Sequence, residues 1–123
     1  MRSRQLYASI TATTTGTVYF DIPDNTTIRA VQWAICVTPA ANADSLLAEI
    51  SMSAQNQTAV SDAQGVISGA GCAYTITTSG AVLGALNYTT PVNVPVKAGT
   101  RIYLNATEAG TGTWSTRAIV WFD

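Results

Sequence analysis

An apolar–polar alternation of period two returns along most of this chain, and it limits the fold more than any other feature. In "QLYASIT", Leu6, Ala8 and Ile10 are apolar and Gln5, Ser9 and Thr11 are polar. In "TVYFDI", Val18, Phe20 and Ile22 alternate with Thr17, Tyr19 and Asp21. Successive side chains of a strand point to opposite faces, so such a segment buries one face and exposes the other. "TIRAVQWAICV" sets Val31, Trp33, Ile35 and Val37 on one face, with Ala30, Gln32, Ala34 and Cys36 on the other. Small residues behind a bulky face suit a central or closely covered strand. "TRIYLNATE" buries Ile102, Leu104 and Ala106 on the same logic, and "STRAIVWFD" buries Ala118, Val120 and Phe122, leaving Arg117, Ile119 and Trp121 opposite.

"SLLAEISMS" is ambiguous. Leu46, Leu47 and Ile50 also fit a helical turn, but Leu46, Ala48, Ile50 and Met52 sustain the alternation longer, which predicts a strand. "AQNQTAVSDAQGVISGAG" and the Gly-rich "SGAVLGALNYTT" have no clean period and read as connections. "CAYTITT" reads as a strand. "PVNVPV" alternates, but its prolines restrict it to an edge or a strand end. About eight strands, with turn residues at short spacing and no linker, predict one antiparallel β-sandwich domain over 1–123.

Composition narrows the function. Hydrophobic residues make up 47% of the 123-residue chain, enough for a core without a staple. Charged residues make up only 11%, well below the usual ~25%. So neutral a surface has little charge to desolvate on contact with other protein. The six basic residues are scattered, so the chain has no basic stripe to neutralise a phosphate backbone, and no nucleic-acid partner is expected. No run is long enough to span a membrane as an apolar helix. "MRSRQLYASITATTT" has no apolar stretch behind its basic residues, so it does not read as a signal peptide, and synthesis in a host cytoplasm is expected.

The chain has no histidine and therefore lacks the commonest general base and metal ligand. Asp21 and Asp24 bracket Pro23 as turn residues; Asp44, Glu49, Asp62, Glu108 and Asp123 form no evident pair. No enzyme activity, catalytic residue, metal or cofactor is expected. Cys36 and Cys72 are compatible with one bridge or with two buried thiols. Tyr7, Tyr19 and Tyr103 fall opposite the core residues of their strands, and could form a sugar-stacking platform or simply pack across strands. Trp114, in "GTGTWS", is the best placed contact aromatic, and equally suits a cap on the end of the sandwich.

"VPVKAGTRIYLNA" resembles the late part of small jelly-roll domains in virus capsids, phage decoration (cement) proteins and phage head fibres. Val96, Ala98, Gly99, Ile102 and Leu104 carry the pattern, and Thr100 stands where an acidic residue is usual. The resemblance covers the last third of the chain. It implies a jelly-roll-like sandwich and a structural virion component that binds major capsid protein and sister copies, for example as a trimer. The expected contact residues are Arg2, Arg4, Trp114, Ile119 and Trp121. The alternative is a carbohydrate- or receptor-binding domain of a tail fibre, or a lectin.

Overall fold

A computed structural model describes residues 1–11, 15–38, 45–52, 66–68, 74–75, 83–109 and 113–123. Within them the chain forms β1 (Arg2–Thr11), β2 (Thr15–Asp21), β3 (Thr26–Thr38), β4 (Ser45–Ser51), β5 (Val66–Ser68), β6 (Tyr74–Thr75), β7 (Leu83–Val96), β8 (Arg101–Ala109) and β9 (Thr113–Phe122). The alternating segments are strands, and "SLLAEISMS" resolves as strand rather than helix.

The strands form two antiparallel sheets. One has the order β1-β9-β3-β7; the other has the order β2-β8-β4-β5, with β6 also on β4. The pairing is nested. β1 pairs with β9, β2 with β8, β3 with β7, and β4 with β5 and β6. First joins last, second joins second-last, and the ribbon folds back at its middle. A long antiparallel ribbon wrapped into two sheets in this way is a jelly roll. Leu46 of β4 faces Glu108 on one side and Tyr74 on the other, and Ile50 faces Leu104 and Ser68. So β5 and β6 share the edge of β4 opposite β8, and together fill one strand position. The nine strands thus occupy the eight positions of the fold.

Inward residues of the two sheets meet in one core. Ile28, Val31, Trp33, Ala118 and Val120 of the four-stranded sheet and Ala48, Ile50, Ile102, Leu104 and Ala106 of the other are fully buried. Phe20 and Phe122 stack across the gap with ring centroids 6.2 Å apart. The alternation of β3 changes phase once. Its register against both β7 and β9 slips between Ile28 and Ala30, so even-numbered Ile28 and odd-numbered Val31 both face inward. This is the effect of a bulge, and a strict period-two reading cannot anticipate it.

The largest departure from the sequence reading is β7. "SGAVLGALNYTT" was expected to be irregular, yet Leu83–Val96 is one 14-residue strand. Its prolines, Pro91 and Pro95, are accommodated because, among the described residues, β7 is an edge and pairs only with β3. The β7–β8 turn matches its sequence: Gly99 has φ +83°, the positive value that suits glycine two places into a turn. The Gly99 N–H donates to the Ile22 carbonyl at 2.8 Å, and Ala98 N–H donates to Asn25 Oδ1 at 3.0 Å, docking this turn on the β2–β3 turn.

One core position is poorly satisfied. Thr116 is fully buried on β9, and its hydroxyl has no hydrogen-bond partner among the described residues. Desolvating a hydroxyl without compensation costs about 1–3 kcal/mol. Thr116→Val keeps the shape and removes that cost, so thermal or denaturant unfolding is expected to show a gain of about 1 kcal/mol. A loss of stability would mean that the hydroxyl is satisfied.

Candidate functional site

The outer face of the four-stranded sheet is built from the residues that the core rejects. The register sets Ser3 beside Trp121, then Ala30 and Pro91; Gln5 beside Ile119, then Gln32 and Thr89; and Tyr7 beside Arg117, then Ala34. Trp121, Ile119, Gln32, Ala30 and Ala34 are half-buried. Trp121 Nε1–H donates to Gln32 Oε1 at 3.3 Å, tying the indole to β3. Tyr7 is 50% exposed, and its hydroxyl lies 3.4 Å from Ser115 Oγ. Arg117 is exposed and forms no ion pair among the described residues. The face is therefore broad, largely neutral and rich in short polar side chains around two large apolar ones.

The outer face of the five-stranded sheet differs. Thr17, Asn105 and Glu49 stand in one row across β2, β8 and β4. Thr17 Oγ1–H donates to Asn105 Oδ1 at 3.2 Å, and Asn105 Nδ2–H donates to Glu49 Oε1 at 3.1 Å. Asn105 and Glu49 are buried, with Glu49 only 3% exposed. The alternation of β4 sets Glu49 opposite Ala48 and Ile50. Its position on the non-core face is as expected, but its burial is not, because the alternation reports the face and not what lies over it. The next row pairs Tyr19 with Tyr103, centroids 5.8 Å apart and tilted by 56°. Tyr19 is 53% exposed, and the Arg101 guanidinium carbon lies 4.0 Å from its ring centroid. Tyr7 is on the other sheet, so the three tyrosines do not form one platform.

Most described charge collects at one end of the sandwich. Arg2 pairs with Asp24 at 2.6 Å, Arg29 with Asp123 at 2.8 Å, and Arg101 with Asp21 at 2.9 Å. Arg2 also donates to the Asp123 carbonyl, as does the Thr26 hydroxyl at 3.0 Å. Hydrogen bonds from these arginines hold the carboxyls of Asp21, Asp24 and Asp123 below the usual carboxylate range. Of the expected contact residues, Ile119 and Trp121 lie together on the four-stranded face. Arg2 and Arg4 do not join them. Their guanidinium groups lie over the Phe122 and Phe20 rings at 4.8 and 5.5 Å, on the inner side of β1. Trp114 stands in β9 opposite Ile10 and Val37; its side chain lies outside the described residues. Cys36 faces Ser115 in the register, and Cys72 lies outside the described residues. The Thr17–Asn105–Glu49 row was missed, because each of the three stands at an ordinary outward position of its alternating strand.

No family model and no curated protein matches this chain. Among solved structures it is similar to the C-terminal CBM6 domain of LamC, a laminarinase of the marine Zobellia galactanivorans, at 10% identity and TM-score 0.46, over 96% of this chain and 100% of that one. It is similar to a cleaved adhesin domain of Lys-gingipain from Porphyromonas gingivalis at 14% identity and TM-score 0.42, over 94% and 72%. It also resembles a chain of the infectious bursal disease virus particle, at 10% identity and TM-score 0.45, spanning 98% of this chain but 31% of that one.

The arginine-paired carboxylates predict an acid response. A carboxyl depressed in the folded state contributes stability that is present above its unfolded value, near 4, and lost as pH falls through its folded value. The melting temperature is therefore expected to fall as pH drops below about 4. Arg29→Gln should flatten this acid limb by releasing Asp123. An acid limb unchanged in Arg29→Gln would contradict the assignment for that pair.

Proposed function

We propose that this protein is a structural subunit of a virion, of the capsid decoration (cement) or head-fibre kind, and that the outer face of the four-stranded sheet is its contact surface. The supporting observation is the segregation of charge. The described ion pairs sit at one end of the sandwich, while Trp121 and Ile119 lie half-exposed on a face where Arg117 is the one charge outside an ion pair among the described residues. Docking there desolvates little charge and covers a Trp, a residue that often anchors interfaces.

The size of the face indicates how it would work. Four strands about 4.8 Å apart and rows from Ser3 to Ser9 project about 400 Å². That is roughly half of the ~800 Å² that one partner buries in a standard interface. A single contact of this size is weak, so the subunit acts through repeated contacts, with neighbouring copies and with capsid protein. Once one contact holds, the next forms at high effective concentration. Because a bound subunit favours the intact shell over the ruptured one, its binding free energy adds to shell stability.

A second reading rests on the other sheet. Exposed Tyr19 beside Tyr103 offers a ring face of the kind that stacks on a sugar, with the exposed Thr17 hydroxyl in the next row. A glycan array with Tyr19→Ala as control tests it.

For the preferred reading, the double variant Ile119→Lys, Trp121→Glu places charge on the face without entering the core. It is expected to remain folded with a modest loss in melting temperature, and to lose at least about tenfold in affinity for shells of the virus that encodes it, since a desolvated charge costs well over 1.4 kcal/mol. Co-sedimentation with shells reads the effect. Undiminished co-sedimentation of the folded variant would refute this contact surface.

A further inference from the structure

The two edges of the four-stranded sheet are treated differently. β7, at one edge, carries Pro91 and Pro95 and is opposed by two register shifts, between Ile28 and Ala30 and between Ile35 and Val37. Prolines and bulges are the usual guards against edge-to-edge pairing. β1, at the other edge, has no proline and pairs with β9 through ten successive residues without a shift. Its residues Ser3, Gln5, Tyr7 and Ser9 are exposed, so the strand is not overlaid. Its two charges are at one end and turned back over Phe122 and Phe20. From Gln5 onward the edge is regular and uncharged. The edge of β2 is shorter, at seven residues, and β5 has only three.

We propose that the edge of β1, which pairs with no strand but β9 among the described residues, pairs antiparallel with β1 of a second copy of this chain, about a two-fold axis normal to the sheet. The inference rests on the assembly reading above and names the partner and edge. Three observations select a second copy and this direction. Parallel pairing in register would set Arg4 against Arg4, whereas antiparallel pairing about the strand centre sets it against uncharged residues. A continuous sheet requires core-side residues to face core-side residues, so facing residue numbers must sum to an even value. A sum of 12 sets Leu6 opposite its own copy and Arg4 opposite Ala8. A sum of 14 sets Tyr7 opposite Tyr7, Gln5 opposite Ser9 and Arg4 opposite Ile10. The third observation is area. The joined sheet has eight strands and one continuous outer face, which doubles the ~400 Å² projection to about the ~800 Å² of a standard contact. About five residues of β1 present N–H and C=O groups away from β9, so the pairing adds about ten backbone hydrogen bonds.

Residue-resolved amide hydrogen exchange on the unmodified protein, with mass by light scattering on the same samples, tests this. In a lone edge strand, the amides directed away from the neighbour exchange rapidly. The proposal expects a dimer whose β1 amides between Ser3 and Ile10 are all protected, the outward set slowed at least roughly 100-fold and returning to fast exchange on dilution. The outward amides of β7 should remain fast. Two results would overturn it: a monomer at every concentration, or an oligomer whose outward β1 amides exchange as fast as those of β7. Either result leaves the capsid-contact reading to be decided by shell co-sedimentation, which does not depend on the β1 edge.

Discussion

The pairing of β1 with β9 is the seam on which the remaining strands are threaded. Ten consecutive residue pairs, from Arg2 with Phe122 to Thr11 with Thr113, join segments more than a hundred positions apart. Closing a loop of that length costs on the order of 4 kcal/mol in chain entropy, from the logarithmic term alone. Burial of Leu6 on β1 and of Val120 and Phe122 on β9 returns about 1.5–3 kcal/mol each. The seam is thus favourable only because both strands turn an apolar row to the same core. Once it forms, β2 is held near β8 and β3 near β7, and the nested pairs follow at decreasing separation. Contacts this distant in sequence make slow folding the expectation. The C-terminal side of the seam is fastened by Arg2, Thr26 and Arg29 around Asp123.

The same alternation that fills the core leaves two outer faces of different character. On the five-stranded sheet, the polar residues of neighbouring strands bind one another, as Thr17, Asn105 and Glu49 do, and are partly withdrawn from solvent. On the four-stranded sheet Tyr7 meets Ser115 and Trp121 meets Gln32, and a Trp and an Ile remain half-exposed among short polar side chains. Three of the six basic residues are occupied by aspartates at the turn end of the sandwich. The low charge of the chain is therefore unevenly distributed, with the described ion pairs gathered at that end.

The sequence carried the strands and their inward faces wherever period two is clean. Leu6 and Ala8, Phe20 and Ile22, Ile102 and Leu104, and Val120 and Phe122 are buried as the alternation requires. It failed at β7, where Gly84 and Pro91 suggested interruption. Edge position, a property of the whole sheet, is what makes Pro91 acceptable. It also could not reveal the bulge that brings Ile28 into phase with Val31, because a bulge is set by pairing rather than by local preference. Nested pairing has no local signal, and only the resemblance around Val96–Leu104 pointed to it. Of the expected contact residues, Ile119 and Trp121 could be placed on the non-core face from the β9 alternation. Arg2 and Arg4 could not be placed, since the rings they cover belong to Phe122 and to Phe20 on the facing sheet.

Oxidative footprinting of the tryptophans and tyrosines, on free protein and on protein bound to shells, tests the central claim most directly. The four-stranded face as contact surface predicts that Trp121 and Tyr7 lose reactivity on binding, while exposed Tyr19 on the opposite sheet keeps it. Protection of Tyr19 with Trp121 unchanged would contradict the account and move the contact to the five-stranded sheet.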